Sequence, residues 1–326
     1  MLHNQRNLKI SQFCKVNLMT NKKALLKYLL ALILFGSNGI IASFVALRSY
    51  EIVTSRAVIG VVFLAIVFLI GRNKITFFSA GKQGIYLATS GIAMGASWMF
   101  LYEAYQQIGV SISTLIYYCG PVIVMILAPI VFNEKITSSK VIGFIAVFIG
   151  MILINGFGAL SKGASWGLIC GLLAAITYSV MIICNKKATK TTGLENSLWQ
   201  LFFGSIVTIA FTLVVNGGLF SIPGESVLPL LVLGVINTGL GCYLYFSAIG
   251  KLPAQTVSTC GYLEPLSAVL MSAVFLGERL IIPQIIGTVL ILSGAAFGEL
   301  RRRSSLISTN STNDTNDTTG SNDIKP

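Results

Sequence analysis

Two ionisable residues stand where water should be scarce. Glu264 lies inside a long apolar stretch, directly before Pro265, and Arg56 lies inside another. Charges at membrane depth are expensive, and they tend to mark solute paths. Every aspartate (Asp314, Asp317, Asp323) falls near the C-terminus, so few other charges compete for that role. A carboxyl group at Glu264 can carry a coupling proton, because loss of water favours its neutral form, or it can pair with a substrate amine. The competing reading is a neutral or paired glutamate that only locks helix packing. Arg56 offers a planar fork to a substrate carboxylate. Its competing readings are an internal salt bridge, to Glu103 or Glu51, and snorkelling to the outer interface.

Around these charges the sequence supplies polar and aromatic groups. Pro121 and Pro265 each remove a helix hydrogen bond, and such breaks either line a cavity or serve as bending points. Tyr118 and Tyr262 stand one turn before them. Trp98 and Tyr102, with Tyr117, Tyr243 and Tyr245, can wall an organic solute or simply fill the core. Asn38, Gln200, Asn237, Thr238, Ser258 and Thr259 are neutral polar groups within apolar stretches. Most such residues make interhelical hydrogen bonds; Asn38 and Asn237 are the leading site candidates among them. Glu134 and Glu278 stand at span ends beside a base and read as loop anchors.

Other chemistry is poorly provided for. The single histidine is His3, and the six cysteines (Cys14, Cys119, Cys170, Cys184, Cys242, Cys260) form no CxxC pair. Neither a metal site nor a catalytic histidine is expected, and no nucleophile–base pair is evident. No Walker motif is present, so this chain is not expected to hydrolyse ATP, and no cofactor is expected.

The elements that must position these residues are membrane helices. Apolar residues make up 54% of the 326 and charged residues only 10%, against roughly 25% charged in a soluble domain. Apolar stretches of about 20 residues recur, the length that crosses the hydrocarbon core. The expected spans are 26–47, 51–70, 84–106, 110–132, 139–158, 165–185, 196–215, 227–249, 254–277 and 280–299. The first is too long for a typical signal-peptide core and lacks a terminal cleavage site. A net charge of +12 does not indicate nucleic acid, because the bases sit in short loops between spans. With the N-terminus in the cytoplasm, 19 of the 23 Lys and Arg fall inside, leaving Arg48, Arg56, Lys162 and Arg279; both termini are therefore expected to be cytoplasmic. Residues 1–23 form a basic segment, with Met19 an alternative start, and 301–326 a basic and then disordered tail. The tail sequons at Asn310, Asn313 and Asn316 read as chance in an Asn/Thr-rich stretch.

A shift of 144 residues lays the chain on itself without gaps. Gly60 falls on Gly204, Gly95 on Gly239, Ala104 on Ala248, Tyr118 on Tyr262 and Pro121 on Pro265. Glu134 falls on Glu278, Gly143 on Gly287 and Gly150 on Gly294, and Lys135 and Arg279 keep a base after each glutamate. Each repeat holds five spans, so the second must enter the membrane the opposite way up, an arrangement that suits alternating access. Glu264 falls on Gly120 and Arg56 on Gln200: the other half lacks both charges. The GxxxG pairs Gly91/Gly95, Gly167/Gly171 and Gly294/Gly298 read as packing contacts.

This pattern resembles the drug/metabolite transporter superfamily, specifically chains with two EamA-type repeats. It is carried by Ala104 through Pro121, Asn133–Glu134 and Gly143 to Gly150, and again by Ala248, Tyr262–Pro265, Gly277–Glu278 and Gly287 to Gly294. Asn133, where the second repeat has Gly277, is a departure. The resemblance implies a ten-helix carrier, commonly an exporter of amino acids, other metabolites or toxic compounds. The expectation is thus an all-α integral membrane protein of ten transmembrane helices in two inverted five-helix repeats, residues 24–158 and 165–300. Its function would be gradient- or proton-coupled export across the cell membrane. The expected partners are a small organic solute, the lipid bilayer and protons, with a homodimer left open and no nucleic acid. A facilitative exchanger is the alternative within transport; an intramembrane enzyme, a channel or a receptor is the alternative outside it.

Overall fold

A backbone amide in hydrocarbon has no water to bond, so an apolar stretch that crosses it must satisfy its own amides as a helix. The computed structural model describes residues 22–155, 165–275, 282–283, 285–294 and 297, and no strand occurs among the described residues. The helices are α1 (Lys22–Ala42), α2 (Ser49–Ile70), α3 (Lys82–Ile108), α4 (Val110–Tyr117), α5 (Cys119–Phe132) and α6 (Ser138–Asn155). They continue with α7 (Ser165–Lys187), α8 (Gly193–Asn216), α9 (Gly224–Ile249), α10 (Ala254–Gly261), α11 (Leu263–Phe275) and α12 (Ile285–Gly294). Among the described residues, seven stretches are long and apolar enough to cross a membrane: α1, α2, α3, α7, α8, α9 and the α10–α11 pair; α5, α6 and α12 are shorter apolar helices there. Large apolar side chains face outward, as with Ile130 (76% exposed) and Val214 (83%), while Gln200, Asn237 and Thr238 are buried. That distribution suits a lipid surround, because water would leave the outer face unsatisfied.

One helix end and three helix breaks depart most from the simplest reading of the sequence. Helix α1 is already helical at Lys22, the first described residue, and ends at Ala42 instead of running on to 47. Beyond it, the Ser43 hydroxyl donates to the Ile40 carbonyl, a local bond that competes with continued helix, and the Ala46 amide donates to the distant Ser226 Oγ instead of to its own helix. Within α1 the helix is interrupted at Ser37. The expected single helices 110–132 and 254–277 are each broken, at Tyr118 and at Tyr262. Pro121 and Pro265 are the third residues of α5 and α11. Lacking an N–H, they leave the carbonyls of Tyr117 and Gly261 without the usual helical donor.

Contacts between the halves are reciprocal. A Cβ at Gly150 would lie 2.6 Å from the Gly287 carbonyl, and one at Gly294 would lie 2.6 Å from the Gly143 carbonyl, the same pair displaced by the repeat. Tyr262 Oη donates to the carbonyl of its own counterpart, Tyr118, at 2.7 Å, with the two rings 5.7 Å apart. The two broken helices therefore meet where the repeats exchange places. Gly91 abuts the Gln200 carbonyl, while Gly167 and Gly171 pack on Gln107, Ile108 and Ile116. Gly298 and Glu278 lie outside the described residues.

Glutamates tie the ends. Glu134 accepts the Ala254 and Gln255 amides at the start of α10 (2.6 and 3.2 Å), where a helix N-terminus favours negative charge. Glu195 accepts the Thr76 and Phe77 amides, and its counterpart Glu51 accepts the Arg48 amide and Asn216 Nδ2.

Candidate functional site

Between the repeats lies a cavity of about 80 Å3, room for several waters. Its walls come from α1 (Phe35, Asn38), α2 (Arg56), α3 (Met94, Ser97, Trp98) and α4 (Tyr117) of the first half. The second half contributes Tyr178 and Met181 from α7, Cys242, Tyr245 and Phe246 from α9, and Glu264 from α11. An apolar, aromatic wall carrying a few polar groups is the usual form of a small-molecule site.

Arg56 is held from two sides. Its guanidinium lies 4.6 Å from the Trp98 ring centroid, and Nη1 donates to Thr238 Oγ1 at 3.2 Å. A stacked guanidinium keeps its plane fixed and its remaining donors available to an anion. The acids weighed as its partners are engaged elsewhere: Glu51 as above, and Glu103 with Gln107 Nε2 at 3.0 Å. Glu264 is the second residue of α11, just past the Tyr262 break, and shares the cavity with Arg56. Asn38 follows the α1 break; its Oδ1 is buried without a hydrogen-bond partner, so a ligand donor would find an acceptor there. The Ser97 hydroxyl is committed to the Ala174 carbonyl.

Of the residues singled out in the sequence, the cavity gathers Glu264, Arg56, Asn38 and Trp98, with Tyr117 and Tyr245. Tyr118, Tyr262, Asn237 and Tyr102 lie elsewhere. Tyr118 and Tyr262 are buried behind the wall, packed with Met125, Phe144 and Met151, and reach it through Tyr117, whose ring is 5.4 Å from that of Tyr118. Asn237 Nδ2 donates to the Leu34 carbonyl and to Ser37 Oγ, bridging the α1 break. Tyr102 packs edge-on to Tyr50, in a cluster with Met99.

Tyr178 was not foreseen. Its ring stacks edge-on to Tyr117 at 5.3 Å and its hydroxyl is 3.4 Å from that of Tyr245. It occupies the space beside Gly120, where a Cβ would come within 2.7 Å of its ring. Gly120 is the repeat counterpart of Glu264, so one half places a carboxylate at this register and the other makes room for a phenol. Met94, Met181, Phe35 and Phe246 carried no signal beyond apolar character.

A bundle of apolar helices with an internal repeat and a charged, aromatic-walled cavity between the halves is the architecture of a membrane transporter. The model of the EamA-like transporter family matches residues 22–156 and again 165–297. The chain belongs to that family, and it is a transporter and not an enzyme. It is 26% identical over 283 residues to the "Uncharacterized transporter YxxF" of Bacillus subtilis, covering 86% of this chain and 90% of that protein. Over 198 residues it is 26% identical to a Salmonella typhimurium protein named "Probable amino-acid metabolite efflux pump", covering 56% and 66%. A crystal structure at 16% identity matches with a TM-score of 0.75 over 86% of this chain and 98% of the other, which bears on the fold alone.

Proposed function

We propose that this transporter exports a small amino-acid-like zwitterion by alternating access, coupled to protons or another gradient. The observation that carries the reading is the shared cavity: Arg56 from one repeat and Glu264 from the other, within one aromatic wall. Arg56 takes the solute carboxylate and Trp98 keeps the guanidinium planar towards it. Glu264 takes the amine or exchanges a proton with it, and Asn38 Oδ1 accepts a remaining donor. The Salmonella relative's name agrees with this solute class and with export.

The membrane arrangement is part of the proposal. Ten spans run as two inverted sets of five, over residues 24–158 and 165–300, in the cell membrane with both termini cytoplasmic. Supporting it are the 144-residue repeat, the Lys/Arg distribution and the reciprocal glycine contacts. An inverted pair can exchange roles as the central site opens to one side and then the other.

The test is a flux screen. Purified protein in proteoliposomes is assayed with separate panels of amino acids, amines and organic acids. The proposal predicts flux concentrated among amino acids. Flux of amines alone would reassign Arg56, and no flux of any solute would contradict the carrier reading. Exchange that ignores an imposed gradient would identify the facilitative alternative.

A further inference from the structure

Helix α9 contains a nine-residue π-helical stretch, Val232–Leu240, in which the Gly241 amide bonds the Ile236 carbonyl five residues back. Such wide turns are uncommon and frequently fall at functional sites. Here two successive residues serve different neighbours. Asn237 Nδ2 donates to the Leu34 carbonyl at 2.8 Å and to Ser37 Oγ at 2.7 Å, across the break in α1. Thr238 Oγ1 accepts from Arg56 Nη1 at 3.2 Å. Both side chains are buried. The Arg56 guanidinium and the α1 break are thus joined through one peptide unit, and Asn38, with its unpartnered Oδ1 in the cavity, immediately follows that break.

The repeat supplies an internal control. Displaced by 144 residues, Arg56 becomes Gln200, Thr238 becomes Met94 and Asn237 becomes Ala93. The counterpart contact persists as a weak approach of Gln200 Nε2 to Met94 Sδ at 4.0 Å, and α3 is regular α-helix there. Helix packing at this register therefore does not require the polar bonds or the wide turn.

We infer that Asn237 and Thr238 are positioning residues that link the Arg56 guanidinium to the break in α1, so that an anionic group on Arg56 is felt at Ser37. The inference rests on the proposal that this cavity holds the solute. A carboxylate that binds Arg56 through Nη1 competes with Thr238 Oγ1 for that nitrogen's donors. Releasing Thr238 removes a contact that holds the wide turn. Relaxation towards α geometry then draws Asn237 away from Leu34 and Ser37, and α1 can bend.

A double-mutant cycle tests the link without needing the solute. The full chain is purified in detergent with its six cysteines replaced by alanine and with Gly39→Cys introduced. Gly39 is exposed, and a Cβ there meets nothing within 4 Å. The readout is the rate of alkylation by N-ethylmaleimide. Thr238→Val is expected to change this rate by about fivefold or more, since a hydrogen bond to a charged group is lost. Thr238→Ser is expected to retain the original rate. Asn237→Ala is expected to give a similar change, and the two together no more than either alone. If Thr238→Val does not fold, Arg56→Lys must reproduce its shift by weakening the same bond from the other side. An unchanged rate in Thr238→Val, or in Arg56→Lys standing in for it, or effects of Thr238→Val and Asn237→Ala that multiply independently, would overturn the link. Absence of solute flux in proteoliposomes would instead overturn the transport reading beneath it.

Discussion

A Cβ at Gly120 would lie 2.7 Å from Tyr178 Cδ1 and 3.0 Å from the Ala175 carbonyl. The Tyr178 ring lines the cavity and can yield towards it, whereas the Ala175 backbone cannot yield without moving α7. Gly120→Ala is therefore expected to cost about 1–3 kcal/mol through overpacking and to cut flux strongly as the ring enters the site. Thermal unfolding and proteoliposome flux check this together, with Gly39→Ala as an open-space control; full flux in Gly120→Ala would contradict the placement of Tyr178. At this scale Glu264 and Arg56 were legible because an unshared charge in an apolar span has few harmless explanations. Tyr178 and Met181 were not, because an aromatic or a methionine in a membrane helix looks the same whether it faces a cavity or a neighbour. Asn237 was legible as important but not in its role: its amide bridges a helix break instead of facing the solute.

Helix contacts at glycines set how closely the two halves approach. Gly150 and Gly294 each present a bare backbone to the opposite half, with 2.6 Å between the position of a Cβ and the facing carbonyl. Gly150→Val is expected to lower stability by about 1–3 kcal/mol, seen as a lower unfolding transition in detergent. An unchanged transition would show that α6 and α12 are not pressed together there. The spacing of these glycines, and the breaks foreshadowed by Pro121 and Pro265, could be read from sequence because missing side chains and missing N–H groups act locally. The π-helical stretch of α9 could not be read. Over nine residues its apolar pattern does not separate a wide turn from an α-helix, and what holds it open lies on α1 and α2. The interruption at Ser37 was hidden likewise, since it depends on bonds from Asn237, 200 residues away.

For the whole molecule, the strongest sequence signal was self-similarity. A shift that preserves Pro, Glu and Gly at fixed spacing defines two related halves, and the Tyr118–Tyr262 bond is the direct contact of one such residue with its counterpart. The cavity between them departs from that symmetry at the places chemistry needs: Glu264 against Gly120, Arg56 against Gln200, Thr238 against Met94. In the proposed alternating access, a symmetric scaffold with an asymmetric site would let two halves exchange positions while one solute orientation is kept. We propose Glu264 as the group that carries the coupling proton. The decisive measurement is accumulation of the solute found in the flux screen, driven by an imposed pH gradient in proteoliposomes, for the parent chain and for Glu264→Gln. Gradient-driven accumulation is expected in the parent chain and none in the folded variant; undiminished pH-dependent accumulation in Glu264→Gln would contradict that role.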